Sequence, residues 1–315
     1  MSIEQQGKEL GYRSSVLERW TRFFGEERTR KLISAFERPI PPAIRINTLR
    51  EDKPEILIKK LGLKGFKLEK LSHFPKFGYQ ILDARNSIGV TTEYLLGKVQ
   101  MQSLASQIPV EILNPQEGET VGDFCASPGV KLSQIAQWMN NHGVIVGIEK
   151  ATSRIRRLKS NITRLGVSTI VLRMDAIYAP NLDLKFNKIL VDAPCSGSGI
   201  IRKDKMRKTM KSREVRRLSR IQFGILQAAV QCLENQGEIL YSTCSLEPEE
   251  NEFVITKILE RYPEISLNNI PKMLGMENGL DEDVDSRIDS ILTKSGRIYP
   301  EKGHEGFFIA LLCKE

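Results

Sequence analysis

The run Lys188-Ile189-Leu190-Val191 ends abruptly in Asp192-Ala193-Pro194-Cys195-Ser196-Gly197-Ser198-Gly199, and no other stretch constrains the fold as tightly. A strand buried on both faces reads as an unbroken apolar run, the mark of a parallel sheet covered by helices. In open sheets of that kind ligands sit just beyond the carboxyl ends of the strands. Asp192 and Cys195 are therefore expected at such an edge. The figure recurs at Gly237-Glu238-Ile239-Leu240-Tyr241-Ser242-Thr243-Cys244-Ser245, where a second apolar run ends in a second cysteine. Two thiols at two strand ends are expected to face one pocket.

From about residue 98 the chain alternates strands with helices, which predicts βαβ units and an α/β fold. Strands are expected at Thr120–Phe124, Val144–Ile148, Thr169–Leu172, Lys188–Val191, Glu238–Tyr241 and Phe307–Leu312. A long helix is expected where Val215, Leu218, Ile221, Ile225, Leu226, Ala229 and Leu233 form an apolar stripe. Before residue 98 the pattern differs. Val16, Leu17, Trp20, Phe23 and Phe24, then Leu32, Ile33 and Phe36, predict two amphipathic helices, ended by Pro39, Pro41 and Pro42. Short strands at Ile44–Asn47, Phe66–Leu71 and Tyr79–Leu82 with a helix over Pro54–Leu61 complete a small α+β domain. The division expected is 1–97 and 98–315, with the acidic stretch Glu277–Asp289 as a surface insertion.

A chain of 315 residues has room for one large domain and a smaller companion. The five cysteines include no Cys-x-x-Cys pair and stand beside only three histidines, which fits neither a disulfide framework nor a zinc site. No metal is expected, and the thiols are expected to be reduced. Residues 1–10 lack a signal-peptide core and Phe307–Cys313 is too short to span a bilayer, so the sequence predicts a cytoplasmic protein with no membrane partner. The net charge of +8 is concentrated: residues 202–220 hold ten Lys and Arg against Asp204 and Glu214. Such clustering suits a polyanion such as nucleic acid, although charge alone leaves a solvated helix face equally open.

After the first strand of the βαβ region comes Asp123-Phe124-Cys125-Ala126-Ser127-Pro128-Gly129-Val130-Lys131, a small-residue turn leading into a helix. It lacks the G-x-G-x-x-G pattern that lets backbone approach a pyrophosphate, which argues against a dinucleotide and for a nucleoside cofactor without phosphates. Glu149, at the end of the second strand, can accept hydrogen bonds from ribose hydroxyls. Asp175, after the third, is placed for an adenine edge. Each acid alone reads as a helix cap or a surface carboxylate. In succession after three strands they suit S-adenosylmethionine.

Carbon 5 of cytosine is a poor nucleophile, but a thiolate adding to carbon 6 turns the ring into an enamine that can attack an electrophilic methyl group. The chemistry also needs a group near the ring nitrogen as charge develops, and a base to remove the carbon-5 hydrogen. Asp192, Cys195 and Cys244 supply such parts. Cys232, in a helix, and Cys313, in the last strand, read as inert apolar residues.

The segments CASPGVK, IEKATSRIRRLKSNITRLG, DAPCSGSG, YSTCSLEPEENE and HEGFFIALL together resemble the motif series of the Sun-domain family of RNA cytosine-5 methyltransferases, and IRINTLR and residues 100–106 resemble its amino-terminal portion. The resemblance runs from about residue 40 to the end. It implies a Rossmann-like methyltransferase sheet, mostly parallel with an antiparallel last strand, preceded by a small RNA-binding domain. It further implies that Cys125, Ala126, Ser127, Pro128, Gly129, Val130 and Lys131 wrap S-adenosylmethionine, that Glu149 holds its ribose, that Arg154 supports that region, and that Asp175 and Asp192 complete the site. Cys244, in the Thr-Cys-Ser motif, is the implied nucleophile, with Cys195 assisting release. In DNA cytosine-5 methyltransferases the Pro-Cys thiol has the nucleophile's part, which would favour Cys195. Lys131 is implied to approach the target base and Asp192 to bond its exocyclic edge. Ser127, Val130, Leu132 and Glu149 stand where the family usually has Ala, Gly, Thr and Asp, and no required chemical group is lost.

The partner expected is RNA, with tRNA favoured over rRNA, and a monomer is favoured. Two other readings share parts of this pattern. A noncatalytic RNA-binding or ribosome-assembly factor would keep the fold, but intact Lys131, Asp192, Cys195 and Cys244 argue against it. A DNA cytosine-5 methyltransferase would need a large target-recognition domain that these 315 residues do not contain.

Overall fold

The structure is a computed structural model that describes residues 2–70 and 75–315. Within them the chain packs as two compact units. One comprises the chain up to Ile40, Ala193–Gln227 and Tyr241–Glu315; the other comprises Pro41–Asp192 and Ala228–Leu240. These units cut across the sequence boundary at residue 97.

The first unit opens with α1 (Ile3–Glu9) and α2 (Ser14–Phe36). The two helices expected from sequence are the limbs of α2, which kinks at Gly25, where φ is 76°. Sequence reading missed α1, whose seven residues bury a single large apolar side chain, Ile3. Val16, Leu17, Trp20, Leu32, Ile33 and Phe36 close a core with Ile201, Leu246 and Tyr299. The helical arm thus packs on residues that follow each of the two cysteine motifs. Burial of one such side chain contributes about 1.5–3 kcal/mol.

The second unit holds an antiparallel sheet and a parallel one. Strands β1 (Ala43–Ile46), β2 (Phe66–Glu69), β3 (Gly78–Ala84) and β4 (Val99–Met101) lie in the order β2-β3-β1-β4, with every pairing antiparallel. Helix α3 (Pro54–Leu63) covers them, burying Leu57 and Leu61 against Ile44, Ile46 and Phe66. The expected strand Phe66–Leu71 ends at Glu69, and Leu71 itself lies outside the described residues. After α4 (Thr92–Leu95) and α5 (Leu104–Leu113) come β5 (Thr120–Asp123), α6 (Val130–Trp138), β6 (Val144–Glu149), α7 (Thr152–Leu165), β7 (Ile170–Arg173) and β8 (Phe186–Asp192). Strand β5 pairs in parallel with both β6 and β8, and β6 with β7, giving the order β8-β5-β6-β7. Val121, Ile145, Val146, Ile148, Ile189, Leu190 and Val191 are all buried, as a parallel sheet covered on both faces requires.

Helix α8 (Ser212–Cys232) and β9 (Leu233–Thr243) each run from one unit into the other, changing unit after Gln227 and after Leu240. The first unit then continues with α9 (Glu252–Arg261), β10 (Ile265–Asn268), β11 (Glu277–Asn278), β12 (Gly296–Ile298) and β13 (Phe307–Lys314). Strand β13 pairs antiparallel with β12 and with β10. All six strands expected after residue 98 are present. Their ends shift by one or two residues, except that Glu238–Tyr241 lengthens at its amino end to Leu233. Among the described residues no helix is long and apolar enough to cross a membrane.

Candidate active site

The two cysteine motifs meet within the first unit. Ala193 N–H donates to the Ser242 carbonyl at 2.9 Å, tying the start of the Pro-Cys loop to the end of β9. Two residues later Cys195 Sγ lies 3.2 Å from Cys244 Sγ. Both thiols are half-buried, and none of the five cysteines is bridged. Gly199 closes the loop: its N–H donates to the Cys244 carbonyl at 2.9 Å, and its carbonyl accepts from Gly306 N–H at 2.9 Å. A Cβ at Gly199 would lie 2.3 Å from the Gly306 carbonyl oxygen, so no other residue fits there without moving backbone.

A buried carboxylate ties the loops behind both thiols. Glu250 is fully buried and accepts from Ser196 N–H at 2.9 Å, from Gln222 Nε2 at 3.1 Å, and from the hydroxyls of Ser196 and Ser245. Ser196 follows Cys195 and Ser245 follows Cys244. Gln222 also donates to the Pro194 carbonyl at 2.9 Å. Burial pushes the Glu250 carboxyl above the usual range, and the two serine bonds pull it partly back. Three residues earlier, Glu247 accepts from Trp20 Nε1 at 3.1 Å and pairs with Arg19, which fastens the helical arm to the loop after Cys244. Sequence reading held Trp20 only as an apolar helix position and Glu247 and Glu250 only as letters of the YSTCSLEPEENE segment, and it did not name Arg19 or Gln222.

The other implied site residues lie in the second unit. Cys125 to Gly129 form the turn after β5, and Val130 begins α6. Gly129 has φ 95°, and a Cβ there would come within 2.8 Å of Leu158, so the turn needs its glycine. Val130, which lies past the turn, is helical. Lys131 Nζ donates to Asp192 Oδ2 at 2.7 Å, joining the first turn of α6 to the end of β8. Glu149 is buried at the end of β6, with Oε1 accepting from Ala151 N–H at 2.7 Å and Oε2 3.5 Å from an Arg154 nitrogen. Arg154 also donates to the Ser127 carbonyl at 2.9 Å, so it links Glu149 to the turn. Asp175 caps the turn after β7 through Ile177 N–H at 3.3 Å and pairs with Lys150 at 2.6 Å. Sequence reading did not single out buried Asp123, the last residue of β5. Burial, with Asp192 and Glu149 adding repulsion, pushes its carboxyl up to about 7. The same burial and the three carboxylates Asp123, Asp192 and Glu149 raise the Cys125 thiol well above its ordinary value.

This set fits a nucleoside cofactor. A concentration of carboxylates repels phosphate and welcomes hydroxyl donors and positive charge, as S-adenosylmethionine presents. Glu149 Oε2, beyond hydrogen-bond distance of Arg154, keeps acceptor capacity for a ribose diol. Arg45, from the IRINTLR segment, stiffens the turn's helix: it is fully buried and donates to Ser133 Oγ at 2.6 Å, to Gln102 Oε1 at 2.8 Å and to Gln137. Burial lowers its guanidinium to about 9.

The basic run 202–220 proves to have two parts. Arg202 donates to the carbonyls of Ala35 and His304, Lys203 pairs with Glu305, Arg207 bonds the Ser196 carbonyl, and buried Lys208 holds the Leu10 carbonyl and Glu37. These four are internal fastenings. Lys205, Lys211, Arg213, Arg216, Arg217 and Arg220 are exposed and take part in no such fastening, and Lys203 is exposed while paired with Glu305. The start of the run therefore serves packing as well as charge.

Residues 110–313 match the family described as 16S rRNA methyltransferase RsmB/F. The chain is 35% identical over 312 residues to the 25S rRNA (cytosine-C(5))-methyltransferase nop2 of Schizosaccharomyces pombe, covering 96% of this chain and 51% of that protein. It is 33% identical over 280 residues to the tRNA (cytosine(49)-C(5))-methyltransferase of Pyrococcus abyssi, covering 88% of this chain and 89% of that one. The chain spans 36–51% of the length of the eukaryotic relatives that it matches. A solved methyltransferase homologue from Pyrococcus horikoshii superposes with a TM-score of 0.89 at 33% identity, covering 99% of each chain. The motif order read in the sequence and these matches agree: the chain belongs to the RsmB/F, Sun-domain family of methyltransferases.

Proposed function

We propose that this protein methylates carbon 5 of a cytosine in RNA, and the observation that carries the proposal is the 3.2 Å approach of Cys195 Sγ to Cys244 Sγ at the ends of two motifs 49 residues apart. When bound, S-adenosylmethionine supplies an electrophilic methyl group. Glu149 holds its ribose, Asp175 its adenine edge, and residues 125–131 with Arg154 wrap it. Cys244 loses its proton to solvent and adds as a thiolate through Sγ to carbon 6, and the carbon 5–carbon 6 π pair then takes the methyl group onto carbon 5, the methyl–sulfur bond breaking to leave a neutral thioether. Asp192 bonds the exocyclic edge of the base, with Lys131 beside it to balance charge. Cys195, as a thiolate, then takes the carbon-5 hydrogen as a proton and becomes a thiol. The pair left behind restores the ring double bond and expels Cys244. A flipped or unpaired cytosine is the substrate form, since carbon 6 must reach the thiol.

The class proposed is tRNA, supported by the match over 89% of an enzyme named for tRNA. Residues 1–97 contribute RNA binding, and the protein works as a monomer in the cytoplasm, where its five thiols stay reduced. The two thiol variants separate the roles. With S-adenosylmethionine and labelled tRNA on a denaturing gel, Cys195→Ala accumulates a covalent protein–RNA adduct, and Cys244→Ala forms neither adduct nor product. An adduct from Cys244→Ala and none from Cys195→Ala would reverse the assignment and restore the DNA-enzyme pattern.

A further inference from the structure

Within the first unit lies a cavity of ≈ 470 Å³, the size of an ordinary ligand pocket, that none of the cofactor motifs lines and that the YSTCSLEPEENE segment reaches only through Glu249. Six cations and one carboxylate face it: Arg19, Arg22, Arg216, Arg220, Lys257 and Arg287, with Glu249 3.7 Å from Arg19. Three are engaged, since Arg19 pairs with Glu247 while Arg22 and Arg287 share Asp285 at 3.1 and 2.6 Å. Among the described residues no hydrogen bond or ion pair reaches the side chains of Arg216, Arg220 or Lys257. Arg216 and Arg220 stand four residues apart on one face of α8, a like-charge spacing that destabilises a helix unless an anion comes between. Ser212 and Ser219, on the same face, add hydroxyls to the wall. Lys257 comes from α9 instead, outside the basic run. Phe23 and Phe253 meet edge to face at 6.2 Å, and the guanidinium of Arg287 lies 4.5 Å from the Phe253 ring centre. The wall thus combines unpaired cations, hydroxyls and an aromatic edge, which suits a phosphodiester with its neighbouring base.

We infer that this cavity is a second RNA-contact site, in which Arg216, Arg220 and Lys257 each neutralise one backbone phosphate of the substrate strand. The inference rests on the RNA-methyltransferase reading for its choice of RNA over other polyanions. It departs from a general basic-surface account in one respect: Lys257, about 40 residues beyond the charged run, counts as much as Arg216.

The test uses the full chain and a fluorescein-labelled, cytidine-rich single-stranded RNA, with binding followed by anisotropy across a salt series. Each phosphate contact contributes about 0.7 to the log–log salt slope for a single strand, so the triple change Arg216→Gln, Arg220→Gln, Lys257→Gln should lower the slope by about 2 and weaken low-salt binding at least tenfold. Lys257→Gln alone should lower it by about 0.7. Calorimetry with S-adenosylmethionine confirms that each variant is folded. An unchanged slope in the triple variant, or in Lys257→Gln alone, would overturn the proposal. So would a polyglutamate peptide that competes as well as RNA of equal charge, because the cavity would then favour acidic protein. Failure of the methyltransferase reading looks different: the wild type would bind RNA with the steep slope yet methylate none.

Discussion

Replacing Glu250 tests whether the two thiols are held together by the buried carboxylate behind them. In Glu250→Ala four donors lose their acceptor. The hydroxyls of Ser196 and Ser245 lie 3.0 Å apart and can bond each other, so they lose little. Ser196 N–H and the Gln222 bond to Glu250 have no such exchange. Each bond lost there costs about 1–3 kcal/mol, which sums to about 2–6 kcal/mol. In a chain of this size 1 kcal/mol moves Tm by about 2–3 °C, so a fall of about 4–18 °C is expected. Glu250→Gln keeps Oε1 opposite Ser196 N–H and Gln222, and the serine hydroxyls turn to accept from the new amide. Its cost should be near 1 kcal/mol.

Tm alone reports stability, so the thiols supply the second readout. At 3.2 Å the sulfurs need to close by only about 1 Å to reach disulfide length. A mild oxidant such as diamide, which takes up the two electrons and two protons, should therefore couple Cys195 to Cys244 quickly in the wild type and in Glu250→Gln. In Glu250→Ala the coupling should slow at least tenfold below its Tm, as measured by loss of free thiol and peptide mass. Wild-type coupling in Glu250→Ala would refute the positioning argument even if Tm fell. Equal damage from Gln and Ala would show that the negative charge matters, and the acceptor geometry does not.

Two further changes address the second unit. Glu149→Ala removes the carboxylate proposed to bond the ribose and should weaken S-adenosylmethionine binding by about 1.5–3 kcal/mol by calorimetry; wild-type affinity would remove Glu149 from the site. Asp123, with its carboxyl raised from 3.8 to about 7, favours the protonated folded state, so its contribution is intact below about pH 4 and is lost as pH rises through 7. Urea unfolding should show about 2–3 kcal/mol less stability at pH 8 than at pH 5 from this group, and Asp123→Asn, which keeps the acceptor for Cys125 N–H, should abolish that difference.

What the sequence revealed follows from where each signal is stored. Strands buried on both faces read as unbroken apolar runs, so Ile189-Leu190-Val191 and Ile239-Leu240-Tyr241 stand out, and the cysteines beyond them stand out against Pro, Ser and Gly. Charge is read differently, because a count of lysines and arginines carries no direction. Nothing in the run 202–220 distinguishes Arg202 and Lys208, which turn inward onto carbonyls of the first 40 residues, from Arg216 and Arg220, which do not. The same holds for acids: Glu247, Glu250 and Glu252 sit in a segment that any local pattern would assign to solvent, yet all three are buried.

Their partners explain why. Glu247 is satisfied by Trp20 from 227 residues away, Glu250 by Ser196 from 54, and Glu252 by Arg297 from 45. A buried carboxylate is stable only when such donors converge on it, and convergence over those separations is a property of the folded topology that no window of sequence displays. Arg297 also donates to the Leu246 carbonyl at 2.9 Å, so β12, the helical arm and the Pro-Cys loop each fasten the six residues that follow Cys244. The position of one sulfur is therefore fixed by segments drawn from the start, middle and end of the chain. The proposed nucleophile is legible as a cysteine at the end of a strand, and its aim is written in acids that look like surface.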